Sequence, residues 1–168
     1  MPRHPFIYHL LGTSISLYGT LDKPSELGTP NAYFTVDDLP TEPFNRTGDI
    51  IPDSYDTVSS HMPFYRSPTL TPGSHTLTVI VAEPSKAGAR FIVDFLTIGV
   101  GTDVSTGNVI VDDSDPRVVY NGLWATGGST SEYLRTTHGS PSTGSGDASL
   151  SFYGRLSTPR APLNPFLF

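Results

Sequence analysis

The stretch SHTLTVIVAE, residues 74–83, puts the tightest constraint on what this chain can fold into. His75, Leu77, Val79 and Val81 fall on one face, and Thr76 and Thr78 on the other. A period of two is the mark of a half-buried β-strand, whereas a helix repeats every 3.6 residues. SISLYG has the same alternation, with Ile15 and Leu17 opposite Ser14 and Ser16. ARFIVDFLTIGV is apolar on both faces and reads as a central strand, with Asp94 as its one intruder. Further strands are expected at FIYHLLG, AYFTVDD, FYRSPTL, NVIVDD, RVVYNGLWA, YLRTTHG and ASLSFYG. Helical periodicity is nearly absent. About ten short strands separated by turn residues point to an all-β sandwich or barrel.

The segments between the strands agree. With 16 Gly and 16 Pro in 168 residues, the chain is rich in turn formers and poor in material for long helices. Residues 40–63 hold four prolines and read as a long excursion. Residues 139–147, GSPSTGSGD, have the composition of a flexible loop. The tail from Leu156, with three prolines and no period, is expected to be irregular.

Several classes of function fall away on composition. A net charge of −6 leaves no basic surplus to neutralise phosphates, so no nucleic-acid partner is expected. The absence of cysteine excludes disulfides and thiolate metal sites. No apolar run approaches the roughly 20 residues of a membrane helix, so no membrane span is expected. The opening MPRHPFIYHLLGTS is broken by two prolines and a second histidine and is not read as a signal peptide. Asn45-Arg46-Thr47 is a glycosylation sequon, relevant only to a secreted chain.

The residues that invite a chemical reading all have structural readings beside them. Asp112, Asp113 and Asp115 could gather a hard cation. Their spacing lacks the glycine and distal glutamate of an EF-hand, and they are read as a strand end and a turn. Trp124, the only tryptophan, could stack on a sugar ring; it shares a face with Val118, Tyr120 and Gly122 and is expected in the core. His75 lies on an apolar face and is read as a satisfied core histidine. Asp94 is expected to be buried and hydrogen-bonded, with backbone N–H groups or Arg90 as partners. Val93 and Phe95 are expected to make apolar contacts on the other face. No triad, Walker or Rossmann pattern occurs, so no catalytic residue, metal or cofactor is assigned.

The pieces VDDSDPRVVYNGLW, LLGTSISLYGTL, LTPGSHTLTVIV and FIVDFLTIGV together resemble a tandem repeat unit of extracellular proteins of mushroom-forming fungi. These are galactose-binding-like, jelly-roll proteins. Their unit opens with Asp-Asp-x-Asp-Pro, then an aromatic, a Gly and a Trp. Gly-Thr-Ser-Ile-x-Val-Tyr-Gly and Gly-x-His-Thr-Leu follow, and an apolar strand with one Asp closes it. The resemblance covers most of the chain up to about Gly154. It implies a jelly-roll-like β-sandwich and an extracellular or cell-surface location. The order differs: the closing half, residues 6–100, precedes the opening half, residues 109–154. The chain thus looks like the second half of one unit followed by the first half of the next. Residues 6–154 are expected to form a single β-sandwich, either circularly permuted or incomplete, followed by an irregular tail, residues 155–168. Tyr8, Leu10 and Gly12 then copy Leu150, Phe152 and Gly154, so two segments compete for one slot.

The functional expectation is a non-catalytic extracellular β-sandwich module that binds carbohydrate or a cell-wall glycan. The alternative is a structural or adhesion domain, or a truncated remnant, without a ligand site. Loops at one end of a sandwich would supply the contacts, with Tyr55, Phe64, Tyr65 and Arg66 as candidates because they combine flat rings with hydrogen-bond donors.

Overall fold

A computed structural model describes residues 12–44, 57–71, 73–84, 88–99, 108–140 and 145–154. Among them the alternating segments are strands: β1 (Ser14–Leu21), β2 (Asn31–Val36), β3 (Glu42–Pro43), β4 (Ser59–Arg66), β5 (Gly73–Ala82), β6 (Ile92–Gly99), β7 (Asn108–Asp112), β8 (Val118–Gly122), β9 (Ala125–Gly127), β10 (Thr137–Gly139) and β11 (Gly146–Gly154). Helix is limited to the four residues of α1 (Pro24–Leu27) and a 3-10 turn, η1 (Tyr133–Arg135). The strands form two antiparallel sheets. Sheet I runs β4-β1-β6-β10-β9, with β7 also on β6, and sheet II runs β3-β2-β5-β11-β8. Among the described residues no helix is long and apolar enough to cross a membrane.

Alternation converts directly into a core. Ile15, Leu17 and Leu21 of β1 and Leu96 and Ile98 of β6 meet Phe34, Val36, Leu77, Val79, Val81, Leu150 and Phe152 of sheet II in one buried cluster. Phe34 stacks on Tyr65 with ring centroids 4.9 Å apart and lies 5.9 Å from Phe91. Burying a side chain of this size contributes about 1.5–3 kcal/mol. Both stretches of chain flanking residues 100–107 build the same sheets. β11 pairs with β5 from Gly146↔Val81 to Gly154↔Gly73, β7 pairs with β6, and Val118 joins the shared core.

Two bulges break the period and decide which faces the side chains take. Tyr18 pairs with Phe95 and Gly19 with Val93, which leaves Asp94 without a partner on β1. Strict alternation from Ile98 through Leu96 would carry Asp94 into the core. The extra residue of a bulge shifts the phase instead. Val93 then points inward, while Ile92 and Phe95 lie outside the core cluster. Val93 and Phe95 therefore do not share a face, contrary to the expectation from sequence. On β4, Leu17↔Tyr65 is followed by Tyr18↔Pro63, so Phe64 is the extra residue and both Phe64 and Tyr65 reach the core.

Several other segments depart from the simple reading. Pairing at β3 and β4 begins inside residues 40–63, and β4 ends at Arg66 rather than running through FYRSPTL. RVVYNGLWA is split: β8 belongs to sheet II and β9 to sheet I, with Gly122 at φ 96 where the chain crosses over. The break lets the chain turn from one sheet to the other between β8 and β9. YLRTTHG begins as η1, and only Thr137–Gly139 pairs. The segment with Tyr8 and Leu10, the Asn45 sequon and the tail from Arg155 lie outside the described residues. Gly12 N–H donates to the Tyr153 carbonyl at 2.8 Å, which puts the start of the described chain beside the end of β11.

Candidate functional site

Of the residues expected to meet a ligand, Phe64 and Tyr65 do not lie on a loop surface. Phe64 and Tyr65 are each 4% exposed and packed inside the core, and burial pushes the Tyr65 phenol up to about 12. The bulge at Phe64 is the reason, because it turns two consecutive rings inward. Arg66 is exposed, and Tyr55 lies outside the described residues.

The chemistry suited to a ligand lies on the outer face of sheet II. One cross-strand row runs Pro43, Tyr33, Ile80, Asp147, Asn121 over β3, β2, β5, β11 and β8. The next holds Thr35, Thr78, Ser149 and Val119. Beyond it, the Thr76 and Ser151 hydroxyls bond at 2.9 Å. Residues directly opposite on paired strands lie about 5 Å apart, so each row is a continuous strip of side chains. Tyr33 is 37% and Ile80 49% exposed. Asn121 Nδ2 donates to Asp147 Oδ2 at 2.8 Å. These two side chains, with Thr78, Ile80, Gly122, Ser145 and Gly146, border a depression of about 420 Å³. The outward phase of Asp147 and Asn121 is readable from alternation. Their meeting is not, because it depends on the register of strands 26 residues apart.

The three aspartates after β7 form the expected turn. Asp112 Oδ2 accepts from Ser114 N–H and the Ser114 hydroxyl, and Asp115 N–H donates to the Asp112 carbonyl at 3.1 Å. Arg117 grips Asp115 through Nε at 2.8 Å and Nη2 at 2.6 Å, and this fork holds the Asp115 carboxyl below its usual range. Asp113 is fully buried and bonds His138 Nδ1 at 2.5 Å. Burial pushes the Asp113 carboxyl up, and the bond to His138 opposes that push. Tyr120 stacks on His138 at 4.2 Å and donates its hydroxyl to the Asp113 carbonyl at 3.0 Å. Trp124 lies against Tyr120 at 4.9 Å, is partly buried against the core, and donates Nε1 to the Asn121 carbonyl. Among the described residues no group of three or more His, Asp or Glu side chains is placed to hold a metal ion.

Asp94 is fully buried, as its surroundings in the sequence imply, but its partners differ from those expected. Oδ1 accepts from Tyr133 N–H at 2.8 Å, and His61 Nε2 lies 3.3 Å from Oδ2. Arg90 instead pairs with Asp22 at 3.2 Å. Nothing near Asp94 in sequence names Tyr133 or His61, because the bulge and the sheet bring them together. His75 is 7% exposed and has both ring nitrogens bonded. No family model matches the chain, and no curated protein and no solved structure matches it either.

Proposed function

We propose that this chain is a non-catalytic extracellular module that binds carbohydrate or a cell-wall glycan, and that its two sheets form a jelly roll of the galactose-binding type. The observation that carries the binding reading is the row Tyr33, Ile80, Asp147, Asn121 with its depression. A pyranose ring has apolar C–H faces and a rim of hydroxyls that each donate and accept. The carboxylate of Asp147 accepts, the amide of Asn121 does both, and Tyr33 and Ile80 offer apolar surface beside them. Side chains set on paired strands are held at fixed spacing, which lowers the ordering cost of binding. The extracellular setting rests on the family resemblance.

Glycan-array and polysaccharide pull-down measurements test this, with Asn121→Ala and Asp147→Ala as variants. Each should weaken binding about tenfold, the equivalent of one good hydrogen bond to a charged or polar group. Unchanged binding in a folded double variant would move the site off this face. A folded wild-type chain that binds no glycan would overturn the reading in favour of a structural or adhesion module.

A further inference from the structure

Tyr33, Ile80, Asp147 and Asn121 stand on consecutive strands of sheet II, each directly opposite the next. Hydrogen-bonded strands lie about 4.8 Å apart, so the row has a fixed pitch and a length of about 14 Å. A second row, Thr35, Thr78 and Ser149, runs parallel to it two residues further along each strand, about 7 Å away. The Thr35 hydroxyl bonds that of Thr41 at 2.9 Å, and Thr78 also borders the depression. The first row thus passes from ring and alkyl surface at Tyr33 and Ile80 to the polar pair Asp147 and Asn121, with hydroxyls alongside. Its one ionic group is Asp147. Arg117, the residue before β8, is already held by Asp115 through Nε and Nη2.

Building on the glycan-binding reading, we propose that this face takes the interior of a single, extended, uncharged polysaccharide chain laid across the strands from Tyr33 to Asn121. A pyranose unit in an extended chain is about as long as the strand-to-strand pitch, so successive units meet successive strands. The ring faces lie over the first row, and the rim hydroxyls on one side reach the threonine and serine hydroxyls of the second. Among the described residues the row ends on the edge strand β8, and beyond Tyr33 only Pro43 of the edge strand β3 follows. An open-ended row fits the middle of a chain, where a chain end would call for a closed pocket.

Charge and shape narrow the class further. Asp147 repels uronate and sulfate groups, no cation in the row offsets it, and the net charge of −6 acts in the same sense. Adjacent strands of a sheet turn by about 20–25° relative to one another. The face therefore cannot lie flush on a crystal of packed chains, and it suits one chain that can rotate at each linkage. Because the side chains are held on paired strands, each further unit in register adds contacts with little further ordering of the protein. Affinity should climb with chain length until the row is full and then level off.

Calorimetric titration of the 168-residue chain with soluble β-1,4-linked glucose and N-acetylglucosamine oligomers tests it. In at least one series, affinity should rise about tenfold between about two and about four units and then level off. Tyr33→Thr keeps a strand former at a 37% exposed position and should cut that rise to about threefold. Ile80→Thr serves the same purpose if Tyr33→Thr does not fold. Polygalacturonate oligomers should bind about tenfold more weakly than the neutral chain, and Asp147→Asn should narrow that gap. Affinity independent of length, or a rise that the folded variant leaves intact, overturns the proposal while carbohydrate binding stands. Equal binding of polygalacturonate overturns it too, as does binding to crystalline, branched or other glycans without either soluble series. A folded chain that binds no glycan at all on an array removes the binding reading itself, and this proposal with it.

Discussion

His75 Nδ1 lies 2.7 Å from Asp37 Oδ2, while its Nε2 lies 2.7 Å from the Thr71 carbonyl. A carboxylate and a carbonyl both accept, so both ring nitrogens donate and the ring is an imidazolium. Asp37 uses its other oxygen to accept Thr76 N–H at 2.8 Å, and its own N–H donates to the Thr76 carbonyl at 3.0 Å. It does so at φ 50°, a conformation aspartate tolerates better than most residues. The pair closes the end of sheet II where β2 leaves β5.

Burial works against the charge on His75, and the Asp37 bond, the Thr71 bond and the Asp37 charge together overcome it, so the folded pKa is raised. The clamp's contribution is then full below the unfolded histidine value of about 6.5 and is lost as pH rises through the folded value. Asp37 is partly exposed, which screens the pair, so the expected loss is about 1 kcal/mol. Urea unfolding of wild type and Asp37→Asn at about pH 6 and about pH 9 measures it. The difference between the two proteins should shrink at the higher pH.

Gly19 is where β1 passes closest to its neighbours. A Cβ there would sit 2.1 Å from the Ile92 carbonyl oxygen and 2.3 Å from the Phe64 ring. The oxygen belongs to backbone and the ring is wedged among Phe44 and Phe91, so neither can yield cheaply. Gly19→Ala is expected to cost about 2–3 kcal/mol, as overpacking does. Thermal or urea unfolding checks it, and a loss under about 0.5 kcal/mol would mean the two bulges can shift together.

Gly19 also shows where the sequence stops being readable. The inward set Ile15, Leu17, Leu77, Val79, Val81 and Leu150 follows from alternation alone, because each strand states its own period. The bulges at Asp94 and Phe64 do not follow from it. They insert one residue each, and what pays for the insertion is contact with strands far away in sequence. Val93 and Phe95 were expected on one face for that reason, and Phe64 and Tyr65 on a surface. Within the candidate site, Asp147 is legible as an outward residue of β11. That Asn121 should bond it depends on the chain crossing between sheets at Gly122, a consequence of closure and not of local propensity.

Tyr120 couples the acidic turn to the core. Its hydroxyl reaches the Asp113 carbonyl, its ring lies on His138, and burial raises its phenol well above the usual range. Tyr120→Phe keeps the ring and leaves the Asp113 carbonyl without that donor. A loss of about 1 kcal/mol is expected. Trp124 stands 4.9 Å away as a reporter, so its fluorescence should change in the folded variant. An unaltered spectrum with unaltered stability would show that the hydroxyl bond contributes nothing.

Arg117 and Asp115 should shape the acid limb of the stability profile in the opposite sense to His75. The guanidinium fork holds the Asp115 carboxyl down, against a smaller upward push from burial. A depressed folded pKa contributes stability that is present above the unfolded carboxylate value and is lost as pH falls through the folded one. Both side chains are partly exposed, at 34% and 20%, so the contribution is about 1 kcal/mol rather than that of a buried pair. Lysine carries the same charge but cannot reproduce two parallel N–H bonds. Arg117→Lys should therefore lose most of this contribution at neutral pH, and its deficit should shrink toward about pH 2 as acid protonates Asp115. Urea unfolding at the two pH values reads the difference directly. A deficit that persists at low pH would assign the role of Arg117 to packing over the Asp115–Val118 turn instead of to its charge.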